Sequence, residues 1–148
     1  MTMKIFACVG AAVILWGCAI GPRDGSLVEP CADEICQVDV YVSGTPPVIT
    51  VNKQTLTLRK GNYGRNDNGV LILWVLKESP GYTFREDSIQ FYDPNSPQQF
   101  DDPKLSGAGA QFHWRDQNRD GLTWGYQIKV YDRRTGVWTP LDPWIQNG

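Results

Sequence analysis

The chain is poor in the residues that build metal centres and acid–base catalysts. It has one histidine, His113, and two methionines, Met1 and Met3. Its four cysteines, Cys8, Cys18, Cys31 and Cys36, contain no Cys-x-x-Cys pair, and no second Cys/His pair completes a zinc site. Positive charge is not in surplus: 14 Lys and Arg stand against 16 Asp and Glu, for a net charge of −2. With no basic stripe and no helix-turn-helix or RNA-binding signature, nucleic acid is not an expected partner. Long apolar runs are missing as well. The run Ile5 to Trp16 has twelve residues, too few to cross a bilayer comfortably. Internal repeats, low-complexity tracts and convincing helical periodicity are absent too.

What is present begins with an export signal. Lys4 and the amino terminus precede the apolar run, as in the n- and h-regions of a signal peptide. A buried core helix is the bland alternative. The run ends in "LWGC", which resembles the lipobox of bacterial lipoproteins through Leu15, Gly17 and Cys18. The resemblance implies lipidation of Cys18, which becomes the first mature residue. Trp16 stands where a small residue is usual. The competing reading is ordinary cleavage after Ala19, with Gly17 and Ala19 as the small pair. Ala19 is not the aspartate of an inner-membrane retention signal. The resemblance therefore implies an outer-membrane lipoprotein facing the periplasm; a soluble periplasmic or surface-exposed protein is the alternative. Contact with the membrane is expected through the lipid anchor only.

Removing Lys4 leaves 13 basic against 16 acidic side chains from Cys18 onward, a net charge of about −3. Residues 1–18 read as the signal peptide with its lipobox. Residues 19–30, with two prolines and few apolar side chains, read as a tether. Residues 31–148 suit a single domain. Cys31 and Cys36, an even pair in an exported chain, read as a disulfide. Closing that short loop would contribute about 2 kcal/mol in the chain-entropy model. A redox pair or a zinc half-site are the alternatives.

The domain alternates in the manner of β-strands. Val38, Val40 and Val42 share one face of "QVDVYV"; Leu56 and Leu58 share one face of "TLTLR". Phe112 and Trp114 are inward in "QFHWR". Leu122, Trp124, Tyr126, Ile128 and Val130 line one face of "LTWGYQIKVYD". "GVLILWVLK" is apolar from Val70 to Leu76, so it is either covered on both faces or central in a sandwich. Turn signals such as "SGTPP", "GNYGRNDNG", "DPNSP" and "DRRTG" punctuate these runs. The expected fold is an all-β, single antiparallel sandwich of about 7–8 strands.

Trp74 in a middle strand followed by "DGLTWGYQIKVYD" is similar to strands C and F of immunoglobulin-like sandwiches. This likeness implies a tyrosine-corner role for Tyr126. "TLTLRKG…GVLILWVL" is similar to the opening of cupredoxin-like domains. A blue-copper site takes two histidines, a cysteine and usually a methionine. With His113 alone and no methionine after Met3, the expectation is a cupredoxin-like or immunoglobulin-like sandwich without copper, and no cofactor. The ending "DPWIQN", with Asp142, Pro143, Ile145 and Asn147, resembles short exported bacterial proteins with no assigned activity.

Four features are candidate sites. "DQNRDG" matches the first half of a calcium loop at Asp116, Asn118, Asp120 and Gly121, but its twelfth position is the neutral Gln127. The competing reading is a polar β-turn, and no metal is expected beyond this weak candidate. The loop Arg59–Gly69 offers Arg59, Lys60, Tyr63 and Arg65 to an acidic or glycan partner, or is a solvated hairpin end. The segment Tyr92–Ala110, with Asp101 and Asp102, reads as a long functional connection or a stiff crossing between sheets. Trp138 and Trp144 on the tail read as core caps, with an exposed aromatic patch as the rival. Ser106 is near His113 in sequence but sits in the loop "LSGAGA", His113 takes an outward strand position, and Asp101/Asp102 are adjacent residues, so no catalytic group is expected.

The expected function is a non-catalytic envelope lipoprotein, a binding or structural accessory module for an envelope protein or cell-wall component. The alternatives are an inhibitor or ligand-binding lipoprotein that acts on a cell-wall enzyme or glycan through its loops, and a weak calcium-dependent adhesion module.

Overall fold

The computed structural model describes residues 28–31 and 33–148. The signal peptide, the proposed lipid site Cys18 and the tether up to residue 27 lie outside the described residues.

Two mixed sheets pack face to face as a sandwich. The first carries β1 (Val28–Cys31), β4 (Thr55–Leu58), β12 (Trp144–Gln146), β10 (Thr123–Asp132) and β11 (Trp138–Leu141), in that order. Two short strands, β6 (Tyr82–Thr83) and β7 (Ile89–Phe91), also pair with β10. The second sheet runs β3 (Val48–Val51), β2 (Ile35–Ser43), β5 (Val70–Leu76), β9 (Gln111–Asp116) and β8 (Phe100–Ser106). The all-β sandwich is as expected, with two differences of detail. Among the described residues there are twelve strands rather than seven or eight. Three pairings, β1 with β4, β4 with β12 and β2 with β5, are parallel. The extra strands are short or proline-bearing, so they carry no alternation to read.

Alternation sets which side chains fill the space between the sheets. Val38, Val40, Leu56, Ile72, Trp74, Tyr126, Ile128, Val130 and Ile145 are fully buried. Burying a side chain of this size contributes about 1.5–3 kcal/mol by area bookkeeping. β5 lies between β2 and β9. Its inner residues Val70, Ile72 and Trp74 are sealed, while Leu71 and Leu73 on the other face are half-buried. The apolar run therefore reflects a central position, with its second face only partly covered.

Trp74 and Tyr126 join the two sheets. Their rings meet edge-on, 5.5 Å apart, and the indole Nε1–H of Trp74 donates to the Tyr126 hydroxyl at 3.3 Å. Tyr126 thus bridges the sheets through a core indole, in place of the tyrosine-corner bond to upstream backbone. Burial pushes its phenol well above the ordinary range.

Three sequence expectations shift. Residues Val28–Pro30, assigned to the tether, form most of edge strand β1, so the domain begins before Cys31. Leu122 lies outside β10 and is exposed, because the turn before it ends one residue later than the alternation suggests. The segment 92–110 is not one open connection. It holds a 3-10 turn at Ser96–Gln98, strand β8 and a second turn at Gly107–Gly109. Pro103 sits in β8, which is an edge strand with a register shift between Asp101 and Lys104, a position where proline costs no ladder bond. The sulfur atoms of Cys31 and Cys36 lie within bonding distance, with Cα atoms 5.3 Å apart, inside the range a disulfide spans.

Candidate functional site

The inward alternation of β9 continues past Phe112 and Trp114 to Asp116, which is completely buried. A lone carboxylate in a core is costly unless donors surround it. Here they do. Asp116 Oδ1 accepts from the backbone N–H of Asn118 at 2.7 Å, from Gln99 Nε2 at 2.5 Å and from Asn147 Nδ2 at 3.3 Å. Asn118, also buried, donates through Nδ2 to the carbonyls of Arg59 and Asn62, and its Oδ1 accepts from the N–H of Gly148. Asp120 Oδ1 accepts from Leu122 N–H and Asn147 Nδ2, and its Oδ2 accepts from Trp124 Nε1.

The "DQNRDG" segment therefore forms a polar knot holding three distant stretches: the loop after β4, the turn before β8 and the last two residues. The Asn147 amide spans the two carboxylates, so N–H groups occupy the space between Asp116 and Asp120. Among the described residues, no group of three His, Cys, Asp or Glu side chains gathers for a metal. Two buried oxygens in the knot have no partner, Asp116 Oδ2 and Asn147 Oδ1. Burial, the dominant cause, pushes the Asp116 carboxyl up to about 7, against the lowering effect of its three donors.

Sequence reasoning placed Asp116, Asn118 and Asp120 in one turn but missed Gln99 and Asn147. The available signal was the period of two, which puts Asp116 on the core face and so requires donors from elsewhere. The four residues of the tail pattern each have a place. Asp142 accepts from Tyr92 and Gln127, Pro143 is buried, Ile145 fills the core and Asn147 closes the knot.

The loop after β4 folds over this knot. Gly69, at φ +84°, approaches Asp116 so closely that a Cβ would come within 2.7 Å of the Asp116 carbonyl oxygen. Arg59, Lys60, Tyr63 and Arg65 are exposed on the loop. The Arg119 guanidinium lies 5.9 Å from the Tyr63 ring, and the two border a shallow depression with Asp67. Arg59 and Lys60 border a separate one with Asn62. Arg59 and Lys60 thus face one depression and Arg119 the other, while Arg65 lines neither. Asp101 and Asp102 lie on the exposed edge strand β8, each engaged locally. Asp101 accepts from Gln117 at 2.8 Å and Asp102 pairs with Arg115 at 3.5 Å. His113, opposite Lys104 on β8, is pushed below its ordinary pKa by partial burial. Ser106 Oγ donates to Gln111 Oε1 at 3.2 Å and makes no hydrogen bond to His113 among the described residues.

A groove of about 690 Å³ runs along the open side of the sandwich, between β7 of one sheet and β8 of the other. Phe91, Tyr92 and Trp114 give it aromatic walls, and Glu86, Asp87 and Gln90 give it a polar end. Phe91 stacks on Phe100 at 3.8 Å and meets Trp114 edge-on, which fixes the floor. The Trp114 indole N–H is buried there without a partner. The two tail tryptophans separate. Trp138 is half-buried and edge-on to Tyr131, whereas Trp144 is 51% exposed on the outer face of the first sheet, where capping is left to Ile145.

No protein-family model matches this chain, and no curated protein matches it.

Proposed function

We propose that this chain is a non-catalytic bacterial envelope lipoprotein, exported, lipidated at Cys18 and held at the periplasmic face of the outer membrane. Its sandwich is a binding or structural accessory module for another envelope component. The observation that carries this reading is the aromatic groove between β7 and β8, an open recognition surface built on a rigid floor. Its ionisable groups, Glu86 and Asp87, sit at the rim, where they suit contact better than proton transfer. A disulfide between Cys31 and Cys36 tying β1 to β2 fits the same oxidising compartment.

The test uses the full chain in a Gram-negative host. We expect it in the outer-membrane fraction, and Cys18→Ser in the soluble periplasm. A photo-crosslinking residue at Glu86, on the groove, should capture one discrete envelope component, and one at Glu78, in the β5–β6 connection and outside the groove lining, should not. Recovery of wild-type protein from the cytosol, or equal capture at both positions, overturns the reading.

A further inference from the structure

Three strands of the first sheet bring two aromatic rings onto its outer face. Gly125 of β10 pairs with Trp144 of β12, and its carbonyl accepts from the N–H of Tyr92 just past β7. Tyr92 and Trp144 therefore flank Gly125, and both reach over it. A Cβ at position 125 would come within 3.0 Å of Trp144 Cζ3 and 3.1 Å of Tyr92 Cδ2. The glycine leaves the rings a common floor. Covering a glycine is itself stabilising in a sheet, but one ring suffices for that, and both remain about half exposed, at 57% and 51%.

The surroundings are polar and nearly uncharged. By register, Gln146 and Thr123 lie on one side of the ring pair and Gln90 and Gln127 on the other. Gln90 and Gln146 are exposed and make no side-chain hydrogen bond among the described residues. The carboxylate beside the rings, Asp142, is held in place: Tyr92 donates its hydroxyl and Gln127 its Nε2, at 3.1 Å, to Asp142 Oδ1. These donors hold the Asp142 carboxyl below its ordinary range, so it is an acceptor at neutral pH. Asp142 Oδ2 and Gln127 Oε1 make no hydrogen bond among the described residues and are free to bond a ligand.

We propose that this face binds an uncharged glycan of equatorially substituted pyranose sugars, which lie across Tyr92 and Trp144 and hydrogen-bond to Gln127, Asp142 and the flanking glutamines. Such sugars have an apolar face of axial C–H groups, which stacks on an aromatic ring, and a rim of hydroxyls, which suits amides and a carboxylate. A protein partner fits less well. Two half-exposed rings offer on the order of 200 Å² of apolar surface, about a quarter of what one side of a stable protein interface buries. The inference rests on the chain being a binding module, and deepens that reading by naming a ligand class.

The test is calorimetric titration of the soluble Cys18→Ser chain with chitohexaose, cellohexaose and a polyglutamate control. We expect binding to at least one of the two hexaoses, with the comparison between them reporting whether the N-acetyl group is read, and none to polyglutamate. Trp144→Ala and Tyr92→Ala should each weaken binding about tenfold or more, while Trp138→Phe leaves it unchanged. Circular dichroism checks that each variant is folded. Should Trp144→Ala unfold, Gln127→Ala supplies the second test, with weaker binding expected. Absence of binding to both hexaoses at millimolar concentration, binding unaltered in folded Trp144→Ala, or capture of a protein through Trp144 without glycan affinity overturns the proposal. The outer-membrane fractionation and the Glu86 crosslink score the underlying reading separately, since neither uses a residue of the ring face.

Discussion

Asp116 and Asp132 are the last, inward residues of β9 and β10; one closes the crossing between the sheets and the other the β10–β11 hairpin, and they close these turns in the same way. Each accepts, through Oδ1, the backbone N–H two residues on, at 2.7 Å from Asn118 and 2.8 Å from Arg134. Each is the last residue of its strand, and each is buried by its own exposure. Yet burial pushes the Asp116 carboxyl up to about 7, while hydrogen bonds from Arg134 hold Asp132 down to about 2. The difference lies beyond the turn. Asp116 is enclosed by the loop after β4, the turn before β8 and the carboxy-terminal tail, and its side-chain partners are neutral amides. Asp132 is covered by its own turn at the rim of the sandwich, where residues 133–137 are all exposed. There Arg134 Nε and Nη2 grip both carboxylate oxygens at 3.1 Å. The same Asx turn holds either an enclosed carboxyl that burial resists ionising or a charged surface clamp, depending on what packs over it.

The largest effect that separates the two is on stability as pH changes. The folded pKa of Asp116 is raised above its ordinary value of 3.8. Its contribution is therefore fully present below about pH 3.8 and is lost as pH rises through about 7. The shift corresponds to about 4 kcal/mol in all, more than half of it between about pH 5 and about pH 8. Urea unfolding should show the domain less stable at the higher pH by this margin. Asp116→Asn keeps the shape and removes the ionisation, so most of that dependence should vanish. A pH-independent wild-type midpoint would show that Asp116 is not the neutral partner. A proton on Oδ2 suits the knot, because that buried oxygen accepts from no donor that would favour its ionised form.

Next in size is the tail. Asn147→Ala removes the amide that spans Asp116 and Asp120, leaving the buried carboxyl with fewer donors. A loss of about 2 kcal/mol in unfolding free energy is expected, larger at high pH than at low. A loss that is independent of pH would mean that Asn147 acts by packing alone.

This contrast also marks what could be read in advance. Val38, Val40 and Val42, and the long face from Trp124 to Val130, alternate cleanly, so the sandwich class was legible. β1, β8 and β12 were not, since they are short, carry Pro30 or Pro103, or find their partners far along the chain, as Ile145 does with Leu56. In the knot, Asp116, Asn118 and Asp120 were legible as a polar turn because turn chemistry is local. Gln99 and Asn147, 17 and 31 positions from Asp116, were not, because nothing local marks an amide as the donor to a remote buried acid. The outer-face ring pair was hidden for a similar reason. Tyr92, Gly125 and Trp144 become neighbours only through strand pairing.

Calcium tests the same knot with a smaller expected response. A cation between Asp116 and Asp120 would have to displace the Asn147 amide and overcome the neutral form of Asp116. At a calcium concentration ten times its dissociation constant, a site specific to the fold would add about 1.4 kcal/mol. Melting in EDTA and in excess calcium should differ by a few degrees at most. A shift well above ten degrees that disappears in Asp116→Ala and Asp120→Ala would mean that the tail yields to the metal.

The smallest effect belongs to the other turn. Arg134→Ala removes both side-chain hydrogen bonds to Asp132 but leaves the backbone N–H bond in place. The guanidinium is exposed, and the pair is screened by water and salt, so exposed pairs of this kind contribute little at neutral pH. Asp132 has the opposite linkage to Asp116. Its folded pKa is depressed, so its contribution is present above about pH 3.8 and lost as pH falls through about 2. Removing Arg134 should return the carboxyl toward its ordinary range and move the acid limb of the stability profile, with the neutral limb unchanged. The two variants, Asp116→Asn and Arg134→Ala, should thus flatten opposite ends of one pH curve. If Arg134→Ala altered the neutral limb instead, Asp132 would have to be coupled to the core, and the distinction between an enclosed turn and a rim turn would fail.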